Sequence, residues 1–122
     1  MGGVKVIKVG SGRRTNLEGG SWVEELISSK LADSRKCTLG YSTFKPKTKT
    51  KKLAHSEEEL CFVIRGKGKL ALDGYDVNFE AGDALYIPPN VAHAVVNDGE
   101  EDVIMVYVFS YPEYPPTLVQ EQ

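Results

Sequence analysis

The sequence predicts a single all-β domain, a sandwich or barrel of short strands. Two observations carry this. Apolar and β-branched runs recur at short intervals along the middle of the chain, and turn-forming residues separate them at Gly66, Asp73-Gly74, Ala81-Gly82-Asp83, Pro88-Pro89-Asn90 and Asn97-Asp98-Gly99. Many short strands with Gly, Pro and Asn between them favour two packed sheets or a closed barrel. The chain has 122 residues, enough for one modest core, and its 41% hydrophobic and 26% charged residues fit a soluble globular protein.

Taken in order, Val4 to Val9 mixes β-branched residues with lysine and reads as a first, partly exposed strand. Gly10 to Gly20 is rich in glycine and reads as a connection. Ser21 to Ile27 is open between a strand and a short helical turn, since Ser21 and Glu24 have capping-box spacing. Trp22 reads as a packing residue. Residues 36–45 alternate as a strand does and stop at Pro46. Leu60 to Ile64, Lys69 to Leu72, Tyr75 to Phe79, Ala84 to Ile87, Val91 to Val96 and Val103 to Phe109 follow as strands, with Asp73-Gly74 a hairpin turn. Residues 110–122 begin with too many prolines for a central strand and should drape over the surface. The expected organisation is therefore residues 1–35 as N-terminal strands and connections, 36–109 as the barrel core, and 110–122 as a Pro-rich tail.

Composition excludes some functions. A formal net charge of −2 gives no reason to expect nucleic acid as a partner. The chain has no long apolar run to span a membrane, and its N-terminus lacks the apolar core of a secretory signal, so a cytoplasmic protein is expected. Cys37 and Cys61 are then expected to be reduced, with Cys61 serving as a small buried hydrophobe. The one biased segment runs from Lys45 to Lys52. It reads either as a solvated sheet edge, which lysine protects from stray pairing, or as a positive mouth for an anionic substrate. If the backbone stays extended to His55, Lys51 shares a face with Leu53 and is a candidate contact for a carboxylate.

The only two histidines lie at the two ends of the stretch from Leu53 to Asn97, and Glu59 stands four residues after His55. Two imidazoles and one carboxylate meet the needs of a mononuclear metal site if folding brings them together. Asp83 and Asn97 suit turns or hydrogen bonds better than ligation.

These residues resemble the two signature motifs of the cupin superfamily. In the first, G-x5-H-x-H-x3,4-E-x6-G, the second histidine, the glutamate and the closing glycine fall on His55, Glu59 and Gly66. In the second, G-x5-P-x-G-x2-H-x3-N, Gly82, Pro88, His93 and Asn97 match at each spacing, with Asn90 in place of the inner glycine. Asparagine tolerates a left-handed backbone better than other non-glycine residues. Two departures stand out: Lys47 replaces the opening glycine of the first motif, and Leu53 replaces its first histidine.

The resemblance implies a cupin-type double-stranded β-helix, or jelly-roll barrel. It also implies a site reduced from three histidines and a glutamate to His55, Glu59 and His93. Either three ligands hold a divalent ion (iron, manganese, nickel or zinc) with positions left open, or the barrel has lost its metal. The functions that follow are a metal-dependent enzyme on a small polar metabolite, such as a carboxylate or sugar acid, or a non-catalytic binder of a small molecule or sugar. Strand parity assigns Tyr41, Thr43, Cys61, Val63, Tyr86 and Tyr107 to the cavity wall, and Lys51, Tyr41 and Tyr107 are candidate acids or bases. A homodimer is expected, both from the resemblance and because an exposed strand at Val4–Val9 needs a partner.

Overall fold

The computed structural model describes residues 3–120. Twelve strands follow one another: β1 (Arg13–Asn16), β2 (Trp22–Ile27), β3 (Thr38–Phe44), β4 (Thr48–Lys49), β5 (Leu53–His55), β6 (Glu59–Arg65), β7 (Lys67–Ala71), β8 (Asp76–Glu80), β9 (Ala84–Ile87), β10 (Ala94–Asn97), β11 (Val103–Phe109) and β12 (Thr117–Val119). A 3-10 turn at Glu18–Gly20 and one turn of α-helix, α1 (Ser29–Ala32), interrupt them, and α1 is capped by the Ser28 hydroxyl, which accepts from the Leu31 amide. No helix among the described residues is long and apolar enough to cross a membrane.

The strands form a six-stranded sheet in the order β1-β2-β3-β11-β6-β9, a four-stranded sheet β4-β10-β7-β8, and a small pair β12-β5. All pairings are antiparallel. This is the expected jelly-roll architecture. Alternation drives it: β11 reads buried and half-buried in strict turn, so Val103, Met105, Tyr107 and Phe109 all face the core. They meet Phe44, Cys61, Val63 and Ile87 of their own sheet and Leu70 and Phe79 of the facing one. Gly40 lies against the Tyr107 ring, where a β-carbon would collide with the ring itself.

The motif positions explain the turns. Gly66 and Gly82 adopt φ of 83° and 96°. Asn90 takes φ 65°, so it fills a position built for glycine. Lys47 also adopts a left-handed backbone, φ 62°, at the site of the missing first glycine. Asn97 is buried, and its amide donates to the carbonyls of Phe44 and Glu101 while its oxygen accepts from the Gly99 amide. Asp83 accepts from the Glu80 amide and closes the turn before β9.

The N-terminal region differs from expectation. Residues 4–9 form no strand, and Val4 is 99% exposed. β1 forms the sheet edge and its outer side stays unpaired, so the arm runs past the edge without joining the ladder. β1 itself lies in the glycine-rich stretch that read as a connection. Its four residues are all exposed, so they carry no apolar alternation to betray it. The segment after Ser21 resolves as a strand, β2, and Trp22 stacks under the Arg14 guanidinium at 4.2 Å. The tail is more ordered than a surface drape: β12 pairs with β5, setting Thr117 opposite His55.

Candidate metal centre

Three elements bring the triad together. His55 ends β5, Glu59 begins β6 four residues later, and His93 precedes β10. His93 and Leu53 exchange both backbone hydrogen bonds at 2.9 Å, which fixes the second motif beside the first. The Asn90 amide adds a further tie, donating to the His55 carbonyl at 2.7 Å. His55, Glu59 and His93 are 5%, 9% and 7% exposed, and each offers a ligand atom within 4.8 Å of the others.

Glu59 Oε1 lies 3.5 Å from His55 Nε2 and 3.4 Å from His93 Nε2. It is buried and has no hydrogen-bond partner among the described residues. The outer nitrogens of the two rings explain why. His93 Nδ1 sits 2.9 Å from the Val91 carbonyl, which can only accept, so Nδ1 carries the proton. His55 Nδ1 sits 2.8 Å from Thr117 Oγ1, whose own proton goes to the Pro115 carbonyl, so this nitrogen donates too. In the neutral rings both Nε2 atoms therefore turn lone pairs toward a carboxylate oxygen. Three electron-rich atoms facing one another call for a positive charge between them. A proton can supply it, and so can a metal ion: the donor set and the orphaned oxygen fit a divalent cation.

The environment treats the two rings differently. Burial holds His55 below the ordinary imidazole value; the Glu59 carboxylate pulls the other way and His93 adds to the lowering. For His93 burial also works to lower, but the Glu59 carboxylate beside Nε2 and the Val91 carbonyl outweigh it, so its value is raised. The Cys61 thiol is pushed up by burial and by Glu59, whose Oε2 accepts from Sγ at 3.4 Å. It is a packed thiol, not a nucleophile. Both Cys37 and Cys61 are free.

A cavity of about 290 Å³ opens onto the triad. Its wall is mainly apolar, including Leu17, Phe44, Leu53, Leu70, Val95 and Met105. Of the residues that parity placed on this wall, Cys61 and Tyr107 do line it. Tyr41 and Thr43 do not, because in β3 it is Ser42 and Phe44 that face inward. Val63 is buried in the core away from the cavity, and Tyr86 is 59% exposed, donating to Glu58 on the outer surface. Of the three candidate acids or bases, Tyr107 and Lys51 border the cavity, Lys51 at its exposed end, and Tyr41 stands outside it. Burial raises Tyr107, with the Glu25 charge adding to it, so its phenol stays protonated at neutral pH.

Two residues went unseen in the sequence. Tyr114 lines the cavity, with its ring 5.5 Å from His55 and 5.3 Å from Phe109, and burial together with Glu59 pushes its phenol up to about 12. Thr117 orients His55 from a position 62 residues away. No local signal marks such a partner; only the pairing of β12 with β5 creates it.

Residues 40–109 match the family described as Cupin domain. The chain belongs to the cupin family. This cupin is 29% identical over 96 residues to an uncharacterized protein of Methanocaldococcus jannaschii, covering 78% of this chain and 76% of that protein. It is 32% identical to auxin-binding protein 1 of Arabidopsis thaliana, over 71% of this chain and 48% of the plant protein. It is also 32% identical to the dimethylsulfoniopropionate lyase DddW of Ruegeria pomeroyi, over 70% of this chain and 55% of the lyase. The cupin thus spans about half the length of these last two relatives. Among solved structures, the polyketide cyclase RemF of Streptomyces resistomycificus superposes with a TM-score of 0.83 at 18% identity, over 98% of this chain and 87% of the cyclase. At that identity the likeness is one of fold.

Proposed function

We propose that this cupin is a metal-dependent enzyme in which His55, Glu59 and His93 hold one divalent cation beside a small, carboxylate-bearing substrate. The observation that carries the proposal is Glu59 Oε1, buried without a hydrogen-bond donor between two imidazole nitrogens whose own protons point away. A divalent metal there supplies Lewis acidity to a bound oxygen. Iron, manganese, nickel and zinc all suit two imidazoles and a carboxylate. The chain's own groups have definite parts. Thr117 and the Val91 carbonyl orient the rings, the apolar wall excludes water, and Tyr107 and Tyr114, both protonated at neutral pH, can donate but not abstract a proton. The mainly apolar wall suits a carboxylate with an apolar body better than a sugar acid. DddW, a relative, is a lyase, which supports an enzyme without choosing the reaction.

A second reading rests on Leu53. With leucine at the fourth ligand position, the barrel would bind a small molecule without chemistry, and the relative auxin-binding protein 1 bears a binder's name. Metal analysis of protein purified without chelator separates the two. A stoichiometric metal whose loss abolishes ligand turnover supports the enzyme; metal-free protein that keeps tight ligand binding supports the binder.

We further propose a cytoplasmic homodimer, with residues 36–109 as its barrel, 1–35 as N-terminal additions and 110–122 as a tail. The free cysteines suit a reducing compartment. Leu60, Phe62, Ile64 and Tyr86 stand half-exposed on the adjacent strands β6 and β9. They form one contiguous apolar patch on the outer face of the sheet, the kind of surface that a second copy can cover. A monomer in sedimentation at micromolar concentration would refute the dimer.

A further inference from the structure

The open end of the cavity carries charge that the triad does not use. Of the five lysines between residues 45 and 52, three are engaged. Lys45 reaches Asp102 at 3.3 Å, Lys47 reaches Glu100 at 3.1 Å, and Lys52 reaches Asp73 at 3.2 Å. Among the described residues Lys49 and Lys51 have neither an ion pair nor a side-chain hydrogen bond, and these two are the lysines that line the cavity. An exposed sheet edge defended by lysine would leave all five to solvent alike. Here the paired and unpaired sets divide according to whether they border the cavity.

Position along the chain gives the spacing. Lys49, Lys51, Leu53 and His55 all line the cavity, and they pass from exposed through half-buried to buried in that order. A fully extended chain rises about 3.3 Å per residue, so Lys51 stands at most about 13 Å along the wall from His55. Leu53, Leu17, Val95 and Phe44 give the wall its apolar surface, beside Thr48 and Thr50. One carboxylate, Glu18, shares the rim. It sets a single negative charge against two ammonium groups.

We propose that the cavity takes an amphipathic dianion: an oxygen-bearing head at the triad, an apolar body past Leu53, and a second anionic group between Lys49 and Lys51. The head rests on the metal reading above, whereas the anion clamp at the mouth is independent chemistry. Lys51 is then a specificity residue, not the acid or base that its place in the sequence left open.

Two probes of equal chain length test this: suberate, with a carboxylate at each end, and octanoate, with one. Calorimetry follows each into zinc-loaded protein and into a zinc-loaded double variant, Lys49→Gln with Lys51→Gln. Both lysines are exposed, so the variant keeps its fold, and zinc titration of each protein is read first. Suberate is expected to bind wild type more tightly than octanoate. The variant is expected to lose about five- to tenfold for suberate, as two partly screened charge contacts warrant, and less than twofold for octanoate. The suberate preference should also shrink as salt rises, because the contacts are exposed. If zinc binds but the suberate-to-octanoate ratio is the same in both proteins, or neither probe binds, the clamp is refuted and the metal site stands. If zinc fails to bind wild type, the metal reading fails and takes the dianion with it.

Discussion

Thr117→Val removes one hydroxyl and nothing else of the side chain's shape, and its effect on metal affinity can be worked out. Thr117 Oγ1 accepts from His55 Nδ1 at 2.8 Å and donates to the Pro115 carbonyl at 2.9 Å. Valine leaves the imidazole free to rotate or to change tautomer. Outer-shell partners of metal-bound histidine are worth about 10- to 100-fold in affinity, which is ~1.4–2.8 kcal/mol at 1.4 kcal/mol per factor of ten. The metal-free protein also loses this hydrogen bond, worth about 0.5–1.5 kcal/mol net, because the His55 ring can turn the proton toward Glu59 Oε1 and strand no N–H. Competitive titration of zinc against a chelator, on wild type, Thr117→Val and Thr117→Ser, measures the first effect, and thermal unfolding of the metal-free proteins measures the second. Serine keeps the hydroxyl and should stay within about threefold of wild type, well short of the outer-shell loss. Wild-type zinc affinity in the valine variant, with an unfolding midpoint close to wild type, would show that the hydroxyl does not set the ring and that the tautomer argument is wrong.

Four further outcomes follow from the same geometry. Glu59→Gln should abolish stoichiometric metal in elemental analysis, yet leave the metal-free protein as stable or more so, since the new amide can donate to an imidazole nitrogen that now faces an oxygen lone pair. Leu53→His should tighten zinc by at least about tenfold in the chelator titration, because residue 53 lies directly across from His93 on the cavity wall and site completeness decides affinity. Lys47→Gly should raise stability in urea unfolding by about 1 kcal/mol, the cost of a left-handed backbone in an L-residue; a loss would mean that its exposed pair with Glu100 matters more than the strain. Asn97→Ala should destabilise the metal-free fold by about 2–3 kcal/mol in the same assay, since it strips the donor from two carbonyls and the acceptor from the Gly99 amide.

Much of the fold was legible because its turns are chemically explicit. Asp73-Gly74 and the Gly82 and Asn90 turns announced themselves by residue type, and β9 and β11 run over the very residues their apolar patterns marked. The triad was legible from motif spacing. What failed was pattern without context. Val4 to Val9 has the composition of a strand, but composition does not by itself bring a partner alongside, and the arm leaves the open side of β1 unpaired. β1 was hidden because an exposed edge strand needs no apolar alternation. Parity misplaced Tyr41 and Thr43, since the face that β3 turns inward depends on the sheet across the core and cannot be read within the strand. Tyr114 and Thr117 were invisible because their importance comes from a strand pairing, not from their neighbours in the chain.

The unequal anchoring of the two imidazoles has a kinetic consequence. His93 is steadied by a carbonyl two residues away, whereas His55 depends on a three-residue strand held only against β5. So short a ladder frays far more often than the molecule unfolds. Exchange of a bound ion should therefore track the peeling of that strand, with hydrogen–deuterium exchange at Leu118 and Gln120, whose amides face β5 and its flank, running at the pace of ion release and β11 staying closed throughout.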